Sequence, residues 1–111
     1  MNQDCYRAEA IRSNLFVSTF PCRFDDLMIV TCWRKDNRFH KEIIEYVTED
    51  GSSYRTAHMD IEPIEGSVLY RWHKHRFPPN LTFNQPSLLT IRVILDQEVR
   101  FESQLLIEKK T

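Results

Sequence analysis

Two histidines separated by one residue are the feature of this sequence with the most specific chemistry. His73 and His75 flank Lys74 in a stretch, residues 67–76, whose composition predicts a β-strand. Alternate residues of a strand point to the same face, so the two imidazoles could hold one metal ion between them. The spacing therefore offers two ligands of a metal site.

A metal site needs a third and usually a fourth ligand, and the sequence does not nominate them. Metalloenzymes of the double-stranded β-helix class place a carboxylate soon after such a pair, whereas the next acid here is Asp96. The third ligand would have to be His40, His58, a cysteine or a distant acid. We therefore predict no metal and no cofactor; a small metal- or ligand-binding β-barrel using His73 and His75 is the alternative.

The same stretch is also basic and aromatic, as nucleic-acid-binding strands are. Alternation divides it into two faces, and one face is predicted to pack inward: Val68, Tyr70 and Trp72. The outer face then carries one arginine and two histidines: Arg71, His73 and His75. This stripe is thin for phosphate binding, and the formal net charge of the chain is −1. Nucleic-acid binding through residues 71–76 is therefore a further alternative, and the charge argues against it.

A protein-contact surface is the function that the sequence favours. Arg, Trp, Tyr and His are enriched at interfaces, and the proline-bounded segment 77–86 could present apolar side chains with little ordering cost. The predicted partner-binding residues are Arg71, His73, His75, Phe77, Leu81 and Phe83. The competing interpretation of segment 77–86 is a loop that closes one end of the fold with its apolar groups buried. The partner would be another protein or a second copy of the chain, as in a homo-oligomer.

Catalysis has no support in the sequence, and the protein is predicted not to be an enzyme. No serine or cysteine lies in a glycine-rich turn, and with only Gly51 and Gly66 no phosphate-binding glycine loop can form. The pairs of acids at turns have spacings that fit no compact calcium loop.

Composition restricts the remaining possibilities. With 111 residues, 41% of them hydrophobic, the chain is predicted to form one domain, residues 1–111, with residues 1–10 as a flexible or helical arm. Three cysteines cannot all pair, and no signal peptide or membrane-length apolar run is present. These features predict a cytoplasmic protein with free thiols.

Strand patterns run along most of the chain. Residues 14–20, 27–33, 40–48, 53–61 and 67–76 are rich in β-branched and aromatic residues and are separated by polar turns. The continuous apolar run 27–33 predicts a strand buried on both faces. Residues 89–108 alternate between apolar and polar around Asp96-Gln97 and predict a hairpin. About seven short strands predict an all-β, antiparallel two-sheet sandwich of immunoglobulin-like type.

The hairpin carries a resemblance. Its run Leu89-Thr-Ile-Arg-Val-Ile-Leu-Asp-Gln-Glu-Val-Arg-Phe-Glu-Ser-Gln-Leu-Leu-Ile-Glu108 resembles the closing hairpin of small immunoglobulin-like domains, including short bacterial and phage proteins. The match covers about a fifth of the chain, lacks the usual glycine, and has no counterpart of the antibody Cys-Trp-Cys arrangement. It implies a fold and no functional residue. The small size, the free cysteines and the aromatic-basic strand fit a binding role as a subunit of an assembly, or as a phage- or mobile-element-encoded modulator of a host protein.

Overall fold

The structure, a computed structural model, describes residues 14–110, and the predicted arm at residues 1–10 lies outside this range. The described chain contains no helix. Its eight strands are β1 (Asn14–Val17), β2 (Met28–Arg34), β3 (His40–Val47), β4 (Ser53–Arg55), β5 (Met59–Ile61), β6 (Tyr70–Arg76), β7 (Ser87–Leu95) and β8 (Glu98–Lys109). The prediction of an all-β fold with two sheets is confirmed.

Six strands form the larger sheet, in the order β1-β8-β7-β3-β4, with β5 also paired to β3. The predicted hairpin 89–108 is confirmed as β7 and β8. Its turn residues Asp96 and Gln97 both have positive φ, 52° and 71°, the backbone of a two-residue turn that matches strand twist. At the other turn, between β3 and β4, Gly51 takes a φ of 90°, which a residue without Cβ adopts easily.

Two details of the predicted strands are wrong. The predicted strand 53–61 is interrupted: the amide of Thr56 donates to the carbonyl of Ile44, and its hydroxyl accepts from the amide of Ile44, which separates β4 from β5. Residues 14–110 therefore contain eight strands, where about seven are predicted for the chain. In addition, β1 runs parallel to β8, so the larger sheet is not purely antiparallel.

The remaining two strands, β2 and β6, form a separate antiparallel sheet, here called the ribbon. Its inner face packs on the larger sheet, and the core lies between them. The predicted burial of β2 on both faces is wrong, because nothing described covers the outer face of the ribbon. Met28 and Val30 are exposed there, while Thr31 and Trp33 are buried.

The core contains one polar atom whose removal should stabilise the protein. The Tyr46 hydroxyl is buried and has no hydrogen-bond partner among residues 14–110, and burial raises the pKa of Tyr46. Its ring contacts Phe77, with centroids 5.1 Å apart. A buried hydroxyl without a partner costs about 1–3 kcal/mol, so Tyr46→Phe should raise the free energy of unfolding by about 1 kcal/mol.

Urea denaturation measures this prediction, with Tyr54→Phe as the matched control. Tyr54 is exposed, so loss of its hydroxyl should leave the unfolding midpoint unchanged. A Tyr46→Phe variant less stable than the wild type would show that the hydroxyl makes a stabilising interaction.

Candidate functional site

Strand β6 directs two kinds of side chain to opposite sides of the ribbon. His73 and His75 point inward and are buried, with His75 only 1% exposed, whereas Trp72 on the outer side is 67% exposed. The prediction that the two histidines lie outside with Arg71, and that Val68, Tyr70 and Trp72 pack inward, is therefore wrong for every one of these residues except Arg71, which is exposed. The physical reason is a buried carboxylate that faces the histidines.

That carboxylate is Glu42 of β3, which is 0% exposed. Its Oε1 accepts hydrogen bonds from Thr31 Oγ1 at 2.9 Å, His73 Nδ1 at 2.6 Å and His75 Nε2 at 2.9 Å. Its Oε2 accepts one from Trp33 Nε1 at 2.6 Å. We call these five residues, from three strands, the Glu42 cluster. They join the ribbon to the larger sheet.

The cluster keeps Glu42 ionised inside the core. Burial alone would raise the pKa of Glu42, but the hydrogen bonds from His75, His73, Trp33 and Thr31 outweigh it and hold the pKa below its ordinary value. Four donors around one carboxylate also satisfy the rule that a buried charge must be paired. One polar atom of the cluster stays without a partner among the described residues, Nδ1 of His75.

A second histidine site lies next to the cluster. His40 at the start of β3 bridges two carboxylates, with Nδ1 2.5 Å from Asp96 Oδ2 and Nε2 2.9 Å from Asp36 Oδ1. Burial disfavours the charged imidazole, but the two carboxylates outweigh this and raise the pKa of His40. The bridge connects the β2–β3 turn to the β7–β8 turn, so its evident role is structural.

The bridge borders a groove of about 350 Å³. Its lining is mostly charged and of both signs: Trp33, Arg34, Asp36, Arg38, His40, Ile61, Leu95, Asp96, Glu98 and Arg100. Trp33 lines this groove and also belongs to the Glu42 cluster. The mixed charges leave the groove without a preference for anions or cations.

The outer face of the ribbon has a different character. Cross-strand pairing places Met28 opposite Arg76, Val30 opposite Lys74, Cys32 opposite Trp72 and Arg34 opposite Tyr70. We call these eight residues the ribbon face. Five of them are apolar or aromatic, three are cations and none is an acid. No acid within residues 14–110 forms an ion pair with Arg34, Lys74 or Arg76, so no acid among the described residues neutralises the positive charge of this face.

Three of the predicted partner-binding residues lie in the core. Phe77, Leu81 and Phe83 are each at most 4% exposed. Phe83 and Cys22 exchange backbone hydrogen bonds of 2.8 Å in both directions, which fixes this loop against the chain that follows β1. The loop therefore closes one end of the fold, the competing interpretation of the sequence. Of the six residues predicted to contact a partner, only Arg71 is exposed.

Sequence reasoning missed the residue that organises the site. Glu42, Ile44 and Tyr46 alternate along β3 and all face the core. An acid at an inward position of an apolar strand is unusual, because charged residues are rarely buried unless they are paired. The inward position of Glu42 in the strand pattern was therefore a detectable signal. It identifies the distant acid that His73 and His75 need as a third ligand.

Comparison with family models, with curated proteins and with solved structures found no match. Nothing in residues 14–110 forms a helix of the length and apolar character that crossing a membrane requires. The functional interpretation therefore rests on the residues themselves.

Proposed function

We propose that this protein is a non-catalytic binding module whose ribbon face contacts an acidic, partly apolar surface of a partner protein. The observation that carries the proposal is the exposure of Trp72, 67%, in the middle of a face that also exposes Met28, Val30 and Tyr70. Contiguous exposed apolar residues of this kind are typical of interaction sites. Trp and Tyr are also the residues that contribute most to binding when an interface covers them.

The positive charge of the ribbon face indicates that its partner surface is acidic. The ribbon face combines its apolar residues with Arg34, Lys74 and Arg76 and has no acid of its own. A partner surface that carries Asp or Glu around an apolar centre would neutralise these cations and cover Trp72 at the same time. The contact would resemble other interfaces in having an apolar centre and a charged rim.

A nucleic acid fits the same face less well. Three cations can neutralise only about three phosphates, and the electrostatic part of nucleic-acid affinity grows with that number. Met28 and Val30 also place aliphatic groups where a strand of bases would need planar or charged neighbours. The net charge of −1 also provides no general attraction to a polyanion.

Several finer predictions accompany the proposal. An immunoglobulin-like sandwich, a cytoplasmic location and self-association stay predictions, as does a role in an assembly or as a phage- or mobile-element-encoded modulator. Self-association through the ribbon face would place the same three cations opposite each other, which opposes a symmetric dimer there. The proposal therefore favours a different chain as the partner.

The experiment that tests the proposal selects binders from a displayed library of random peptides on the wild-type protein. We expect the enriched peptides to combine Asp or Glu with apolar residues and to bind more weakly as salt is raised. Trp72→Ala should weaken their binding about 30-fold, which corresponds to the 2 kcal/mol typical of a central tryptophan.

The matched control is Phe16→Ala. Phe16 is 62% exposed on β1, in the other sheet, so its removal should leave peptide affinity unchanged. Peptides without acids, or equal affinity for Trp72→Ala and the wild type, would refute the proposal. Tight binding of a single-stranded oligonucleotide that depends on Trp72 would replace the protein partner with a nucleic acid.

A further inference from the structure

The Glu42 cluster has the donor set of a metal site. His73, His75 and Glu42 each offer one ligand atom, and these atoms lie within 4.8 Å of one another. Two imidazole nitrogens and one carboxylate oxygen suit zinc and neighbouring divalent transition metals. The cluster also supplies the third ligand that the sequence left unidentified.

The second nitrogen of His73 has a neighbour suited to a metal-bound imidazole. Nδ1 of His73 faces Glu42, and Nε2 lies 3.2 Å from the carbonyl oxygen of Asp60 and accepts from Arg71 Nε at 3.4 Å. A neutral imidazole carries one proton, so without a metal the proton on Nδ1 donates to Glu42. A metal ion on Nδ1 requires the proton on Nε2, and the carbonyl oxygen of Asp60 is placed to accept it.

Neighbouring groups orient the ligand atoms of the Glu42 cluster in the way that a metal site requires. A ligand histidine commonly donates its second ring N–H to a backbone carbonyl, as His73 can to Asp60. Trp33 binds Oε2 of Glu42 and so leaves Oε1 directed at both imidazoles. Ligand atoms around tetrahedral zinc are about 3.3 Å apart for bonds of about 2.0–2.1 Å. Oε1 lies 2.6 and 2.9 Å from the two nitrogens, so each of these two separations needs to lengthen by less than about 1 Å.

We propose that His73 Nδ1, His75 Nε2 and Glu42 Oε1 bind one zinc ion between the ribbon and the larger sheet. The site is enclosed, since all three residues are buried, and Thr31 Oγ1 or a water molecule can complete the coordination. A water in the fourth position is also the arrangement of catalytic zinc, but the burial of all three ligands keeps substrates away from this ion, so its role is structural. The ion binds the folded state alone and thereby holds the ribbon in place.

The test uses the full chain after treatment with a chelator and dialysis. Titration with ZnCl₂ should show about one ion bound per chain and an upward shift of the thermal midpoint. Co²⁺ in place of zinc should produce the visible absorption of a tetrahedral nitrogen–oxygen site. Absence of both the thermal shift and stoichiometric binding in the wild type would refute the proposal without any variant.

Variants locate the ion. His75→Ala and His73→Ala should each weaken zinc binding at least about 100-fold, since each removes one of three ligands. His58→Ala is the control: His58 is an exposed histidine away from the cluster, and its loss should leave the affinity unchanged. Thr31→Val removes none of the three proposed ligands and should retain the ion, with a water molecule in the fourth position. Equal zinc affinity in the wild type and His75→Ala would place the ion elsewhere and refute the site.

Discussion

Replacing Glu42 with alanine should lower the free energy of unfolding by about 3–5 kcal/mol, the range found when one partner of a buried charged pair is removed. The loss is large because four donors then face a cavity: Thr31, Trp33, His73 and His75. Each buried donor without an acceptor adds about 1–3 kcal/mol of uncompensated desolvation, although neighbouring groups relax in part. Chemical denaturation in the presence of a chelator measures this loss without any contribution from metal.

Glu102→Ala is the matched control for this prediction. Glu102 also pairs with a basic group, Arg92 Nε at 2.7 Å, but both side chains are partly exposed to solvent. Exposed pairs contribute about 0–1 kcal/mol, so this variant should remain close to the wild type. Equal losses in the two variants would mean that the Glu42 cluster has no special part in stability.

Which strands lose stability is a second test of the same prediction. All four donors come from the ribbon, whereas Glu42 belongs to the larger sheet. Weakening the cluster should therefore free β2 and β6 before it affects the β7–β8 hairpin. Hydrogen exchange should show faster amide exchange in the ribbon of a Glu42→Gln variant, with the amides of β7 and β8 little changed.

The parts of the fold that the sequence predicts correctly are those determined by neighbouring residues. The β7–β8 hairpin follows from alternation on both sides of a polar turn. Leu89, Ile91 and Val93 are buried as the alternation requires, although Val99 beside the turn is exposed. Its turn needs only the two residues Asp96 and Gln97. All of this information lies within about twenty consecutive residues, so no distant contact is needed to predict it.

The orientation of β6 could not be predicted in the same way. Both faces of this strand carry large amphipathic side chains, so alternation defines two faces but does not say which is buried. The deciding partner, Glu42, is 31 residues from His73 and 33 from His75. Hydrophobicity ranks Trp72 above a histidine for burial, but hydrogen bonding inside a polar cluster reverses that order here. The candidate site can therefore be recognised only in the structure, where the ribbon packs against the larger sheet.

The second large effect concerns Phe77, which the sequence predicts as a partner contact and the structure places in the core. Its ring is 1% exposed and packs edge-on against Tyr46 and Phe24, with centroids 5.1 and 5.7 Å apart. Phe77→Ala should lower the free energy of unfolding by about 3–5 kcal/mol, since it removes buried apolar surface and leaves a cavity. Urea denaturation measures the loss, and Phe16→Ala, on the exposed side of β1, should change it by less than about 0.5 kcal/mol.

Binding distinguishes the two roles of Phe77 more sharply than stability alone. If Phe77 is a core residue, the molecules of Phe77→Ala that remain folded keep an intact ribbon face and bind the selected acidic peptides with wild-type affinity. Only the folded fraction falls, and the apparent affinity falls with it by the same factor. Measurement at a temperature well below the unfolding midpoint of the variant therefore restores the wild-type Kd. If Phe77 instead contacts the partner, the affinity stays low at every temperature while stability changes little, and Trp72→Ala, which alters exposed surface alone, should show this second pattern.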